Sequence, residues 1–274
     1  GVNALFPLPF IDNPIDGVGI AAVHSIFNIV TTAVLLPFPK QLEKLANMVV
    51  KEGRKDDRPT FLDELLLRTP SIAVNESRSM TVRMANLART SVQQAVSLFD
   101  TFDHKTADQI LENESTLDWF EDQLGTYLLK LSGKELSDAD SRQVSKIFLT
   151  IGDFERLGDH AVNLTKTARE LFDKKLQFSA EAQHEIEVLT KALSEILELT
   201  IVSFAKENVE MASRVEPLSQ AMSVIISQVR TRHVDRLQRG ECTIEKGFIY
   251  SDLLANYARV FDHCSNIAAA TIGA

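Results

Sequence analysis

From residue 77 onward, apolar side chains recur at steps of three and four, the period of a helix with one buried face. Met80, Met84, Leu87, Ser91, Val92, Ala95, Leu98 and Phe99 make the first such stripe. A second runs over residues 108–131 through Leu117, Phe120, Leu124, Leu128 and Leu131, and Ser132-Gly133-Lys134 ends it. Ser137 is placed to cap a third helix, from 138 to about 172. The plan then returns: Ser179 opens a helix to about residue 207, another spans roughly 213–238 with Pro217 near its start, Gly240 stops it, and Thr243 opens the last. No alternating run of β-branched residues outlasts this period, so no strand is predicted.

The third and last helices are copies of one another. Shifted by 103 positions, residues 250–268 fall on residues 147–165 without a gap. Arg156, Asp159, His160 and Asn163 recur as Arg259, Asp262, His263 and Asn266, while Asp153 and Phe154 recur conservatively as Asn256 and Tyr257. A repeat of this length is the size of a three-helix bundle, so the expected fold is all-α with two tandem bundles, residues 77–177 and 178–274.

Ahead of them lies a different pattern. Residues 17–39 contain no formally charged side chain, and about 20 helical residues suffice to cross a hydrocarbon core. The expectation is one N-terminal transmembrane helix, with His24 and Asn28 as its polar positions, inside a membrane segment over residues 1–50. Only acids, Asp12 and Asp16, precede the run, whereas Lys40, Lys44, Lys51, Arg54 and Lys55 follow it. By the positive-inside tendency, everything after residue 50 is then expected in the cytoplasm. Residues 51–76, charged and punctuated by Gly53, Pro59 and Pro70, read as a linker.

Composition narrows the function. A net charge of −9 without a basic stripe argues against a nucleic-acid partner. Two cysteines, Cys242 and Cys264, supply no disulfide framework and suit a reducing compartment. The chain opens on Gly1 rather than Met, which reads as a fragment.

The candidate chemistry is carboxylate. Glu114 with Asp118, and Glu155 with Asp159, are spaced so that each pair projects from one helical face and can offer two carboxylates to a single cation. Against this, an acid-rich chain produces such pairs by accident, and Arg156 stands ready to neutralise one of them. Glu181 and His184 form a single Glu-x-x-His, where a di-iron oxidase needs two. His233, Cys242, His263 and Cys264 lack the close spacing of a zinc site. With no phosphate loop, nucleophile elbow or dinucleotide fingerprint, the chain is not read as an enzyme.

The repeated helix, FERLGDHAVN echoed as VFDHCSN, together with a helix bearing Glu-x-x-x-Asp, resembles the PhoU family of phosphate-signalling proteins. HSIFN at 24–28, LLPF at 35–38, LDELLLRTPSIAV at 62–74 and RHVDRLQRGECT at 232–243 resemble the bacterial sodium/phosphate cotransporters that carry a PhoU-like domain. This resemblance implies a C-terminal transporter fragment in the bacterial inner membrane, multi-pass in full, with sodium and phosphate as its ions. The upstream transport domain would be missing, and the PhoU-like part would regulate phosphate uptake or export, with a homo-oligomer as the expected assembly. The alternative is a soluble PhoU-type signalling adaptor. The resemblance also implies divalent or ferric ions at Glu114, Asp118, Glu155 and Asp159. In the second unit Ala258 replaces Glu155 and only Asp262 survives as a weak metal position.

Overall fold

The computed structural model describes residues 17–35 and 62–273, and every element among them is helical. Two units divide the chain, Gly1–Arg58 and Pro59–Ala274. The described part of the first is helix α1, Gly17–Leu35. The second begins with a 3-10 helix at Glu64–Arg68 and continues with α2 (Pro70–Ser97), α3 (His104–Ser132) and α4 (Asp138–Asp173). There follow α5 (Ala180–Lys206), the single turn α6 (Val209–Ala212), α7 (Val215–Gln238) and α8 (Ile244–Ile272).

The membrane-spanning expectation is corrected here. α1 is 19 residues long, about 28 Å at the helical rise, and is interrupted by His24, Asn28, Thr31 and Thr32. Within it Asn28 and His24 bond one another one turn apart, Nδ2 to Nδ1 at 2.9 Å. No helix among the described residues is long and apolar enough to cross a membrane. The inner-membrane, multi-pass placement, and with it the assignment of everything after residue 50 to one side, therefore loses its basis. The basic residues 40–55 used for that orientation lie outside the described residues.

Local chemistry starts the helices. The side chains of Asp103, Ser137, Ser179 and Thr243 accept hydrogen bonds from the backbone N–H three residues on, satisfying donors that a first turn leaves open. Two starts differ from the periodicity. α2 begins at Pro70 rather than at 77, because proline is tolerated in a first turn, where its missing N–H costs nothing. α3 begins at His104 because Asp103 caps it. α5 ends on Glu207 in the left-handed conformation, φ 53°, where its carboxylate takes Lys146 Nζ at 3.0 Å and Arg78 Nε at 3.2 Å.

Helices α2, α3 and α4 pack on one another as one trio, and α5, α7 and α8 as another. α4 lies along α8 and α2 along α5, joining the trios around a single apolar core. α3 and α4 approach most closely at Gly158, where a methyl group would stand 2.5 Å from Leu117 Cδ1. In the second trio a half-buried carboxylate pins three elements: Glu185 takes Arg236 Nη2 at 2.7 Å, Tyr250 Oη at 2.6 Å and Arg232 Nε at 2.6 Å. Burial alone would push this carboxyl up, but the hydrogen bonds from Arg236, Tyr250 and Arg232 outweigh it and hold the group below its ordinary range.

Two stability measurements follow from this packing. In urea denaturation, Gly158→Ala should cost about 1–3 kcal/mol, because the added methyl enters a filled core. Glu185→Ala should cost about 3–5 kcal/mol, because Arg236 is left buried and largely unpaired.

Candidate functional site

Helix α4 presents different chemistry on two sides. Toward α3 it carries Glu155 and Asp159, and α3 answers with Glu114, Asp118 and Glu121. Glu155 is half-buried and pushed up to about 7, first by burial and then by Asp159, with Arg156 opposing and Glu121 and Asp118 adding to the rise. Glu114 is raised too, by burial, then by Asp118 and Asp159. The two predicted pairs therefore feel one another across the α3–α4 interface. Glu121 was not singled out by the four-residue spacing, although it lies seven residues, two turns, after Glu114. It lies beside Gly152, where a methyl group would make ordinary van der Waals contact with Glu121 Oε1 at 3.6 Å.

Arg156 partly neutralises this face. Its Nη1 lies 2.7 Å from Asp159 Oδ2 and its Nε 3.4 Å from Glu155 Oε2. Among the described residues, no set of three or more His, Cys, Asp or Glu side chains is gathered closely enough to hold a metal ion. The donor chemistry nonetheless suits a hard cation: oxygen ligands, on a face where burial and then neighbouring carboxylates keep Glu155 protonated above its ordinary range.

The counterpart in the second trio is weaker. Asp262, exposed, pairs with Arg259 at 3.4 Å, Ala258 stands in place of Glu155, and Gln220 donates to Glu216 on α7 at 2.8 Å. Nor do the other candidate ligands come together. His233 Nε2 lies 3.2 Å from the Gly247 carbonyl, Cys242 Sγ reaches the Thr243 carbonyl at 3.4 Å, and Cys264 is buried, its thiol pushed up to about 12 by burial.

The other side of α4 meets α8, and here the repeat meets itself. His263 Nδ1 lies 2.7 Å from Asp153 Oδ1, and His160 Nδ1 lies 2.9 Å from Asn256 Oδ1. Asp153 corresponds to Asn256 and His160 to His263, so each copy lends its acid or amide to the histidine of the other. Seven residues up one helix match seven down the other, so the helices run antiparallel about a local two-fold. The imidazole centres are 5.4 Å apart, and Asn266 Nδ2 adds a bond to Asp153 Oδ1 at 3.1 Å. Burial holds the His160 imidazole below its ordinary range, against the Asn256 hydrogen bond, which favours the charged form. The spacing of the repeat could have revealed this joint, since a pair seven residues apart recurs in both copies.

The acidic face has a pH signature. Between its ordinary value of 4.5 and about 7, native Glu155 holds a proton that the unfolded chain releases, so this group's contribution to stability falls as pH rises through that window. Glu155→Gln should therefore be more stable than the wild type at pH 8, by about 1–3 kcal/mol, and close to it at pH 4.5. Urea denaturation at the two pH values checks both the sign and the window.

With the fold and these faces in view, similarity to known proteins is informative. Residues 81–168, α3 and most of α2 and α4, match the PhoU domain family. The phosphate-specific transport system accessory protein PhoU homolog 1 of Thermotoga maritima is 20% identical over 191 residues, covering 69% of this chain and 82% of that protein. The Aquifex aeolicus PhoU homolog is 20% identical over 187 residues, covering 68% and 83%. Among solved structures, PhoU from Pseudomonas aeruginosa superposes with a TM-score of 0.67 at 20% identity, over 72% of this chain and 94% of its own. The phosphate transport system regulatory protein PhoU from Streptococcus pneumoniae gives 0.65 at 17%, over 74% and 95%. The Thermotoga maritima and Aquifex aeolicus relatives are named as accessory proteins and the Streptococcus pneumoniae one as a regulatory protein, and none of these names is that of a sodium/phosphate cotransporter. Residues 81–168 thus resemble the PhoU domain, and both helix trios together have the fold of the solved PhoU structures.

Proposed function

We propose that this chain is an accessory regulator of phosphate transport, acting by contact with a transporter rather than as a piece of one. The observation that carries this reading is the extent of the match: the PhoU fold spans 94% of the Pseudomonas aeruginosa structure and takes in both trios. A binding rather than a catalytic role accords with the relatives' names and with the chemistry at hand, in which carboxylates pair with arginines and the histidines of the repeat are tied up between α4 and α8. In this role the two trios, 77–177 and 178–274, act as two domains. The test is genetic and quantitative. Deletion of the gene in its host should change the rate of phosphate uptake at low and at high external phosphate, and expression of the full chain should restore it. Unchanged uptake under both conditions would remove the proposal.

The acidic face is assigned a second part in this reading. Glu114, Asp118, Glu155 and Asp159 take a divalent or ferric cation, and Arg156, 60% exposed at its side chain, swings aside to admit it. The support is electrostatic: a cation would offset both the burial and the neighbouring carboxylates that raise Glu155. Metal analysis of the purified full chain after loading should show bound metal that the double variant Glu155→Gln, Asp159→Asn lacks. Equal metal content in the two preparations, or none in either, would leave the face as an ordinary cluster of acids matched by Arg156.

A further inference from the structure

Away from the acidic face, a cleft of about 670 Å3 opens between the early turns of α4 and the end of α8. Ser141, Arg142, Ser145 and Lys146 line it from the first repeat and Asn266 from the second. In a chain of net charge −9, the charges here add up differently. Lys146 is only 6% exposed, and the carboxylate it touches, Glu207, is shared with Arg78, so two cations divide one anion. Arg142 is exposed and has no carboxylate within 4 Å among the described residues. The one acid in the lining, Asp153, is already occupied by His263 and Asn266.

Several hydrogen-bond donors are uncommitted as well. The Lys146 ammonium has three hydrogens and a single carboxylate acceptor, the Ser141 hydroxyl has no partner among the described residues, and Asn266 uses one of its two amide hydrogens on Asp153. Ser145 donates to the Ser141 carbonyl at 2.9 Å and can rotate. A planar carboxylate would satisfy the guanidinium alone. A tetrahedral dianion can accept from two cations, a hydroxyl and an amide arriving from different directions.

We propose that this cleft binds a phosphoryl dianion, either free or carried on a small organic phosphate. Its volume falls in the range of small-molecule sites and exceeds what a bare ion needs, and Leu149, Ala269 and Ala270 give an apolar wall for an organic remainder. Because the donors come from both repeats, the ligand ties α4 to α8 beside the histidine joint. The site is built from the cleft's own residues and does not depend on the accessory role proposed above.

Isothermal titration of the full chain at constant ionic strength tests it, using inorganic phosphate, glycerol 3-phosphate and, as a control, sulfate. Saturable binding of either phosphate is expected, weakened at least fivefold in Arg142→Ala and more modestly in Ser141→Ala. Both residues are exposed, so both variants should keep the helical circular dichroism of the wild type. Binding of glycerol 3-phosphate alone identifies the ligand as an organic phosphate, and equal binding of inorganic phosphate identifies it as the free ion. The proposal is overturned if neither phosphate binds, if Arg142→Ala binds as tightly as the wild type, or if sulfate matches phosphate in both proteins.

Discussion

The antiparallel contact between α4 and α8 is the constraint from which the second unit's arrangement follows. Each helix is the last of its trio, and each belongs to its own three-helix core while also meeting the other. The reciprocal bonds, Asp153 with His263 and Asn256 with His160, lock the register of that contact. Sliding one helix by a turn would separate four largely buried polar groups from their partners, and an unpaired buried polar group costs about 1–3 kcal/mol. Apolar packing alone would tolerate more than one register. The polar pairs do not.

That contact also determines what else α4 can display. At roughly 100° per residue, Asp153 and His160 share one side of the helix, while Glu155 and Asp159 turn toward α3. The same stretch of sequence therefore serves a structural joint on one side and an acid-rich face on the other. In the second repeat the joint side persists as Asn256 and His263, whereas the other side has lost its acids to Ala258 and an exposed Asp262 paired with Arg259. Between the two copies the joint side is alike and the acidic side is not.

The asymmetry within the joint is itself physical. One histidine faces a carboxylate and the other an amide, with the rings 5.4 Å apart. One carboxylate and one amide thus meet two imidazoles, so the two halves of the joint are not chemically equivalent. Close by, the cleft lined by Arg142, Lys146 and Asn266 draws on the same pair of helices, and Asp153 contributes to both.

Much of this was legible beforehand. The three- and four-residue apolar steps, the capping residues Ser137, Ser179 and Thr243 and the 103-residue repeat each depend on local geometry, so they determine the helices, their order and the duplication without reference to any distant contact. The pairing of Glu155 with Asp159 is local too, one turn of helix. What the sequence could not decide is anything that depends on which faces meet. Lack of charge over residues 17–39 suggested a bilayer, because a count of formal charges passes over the neutral polar side chains of His24, Asn28, Thr31 and Thr32. Glu121 joins the acidic face, Arg156 bridges two of its members, and His160 and His263 pair across the repeat only because α3, α4 and α8 pack as they do. Spacing along one helix sets which side chains share a face, and tertiary packing alone sets what that face confronts.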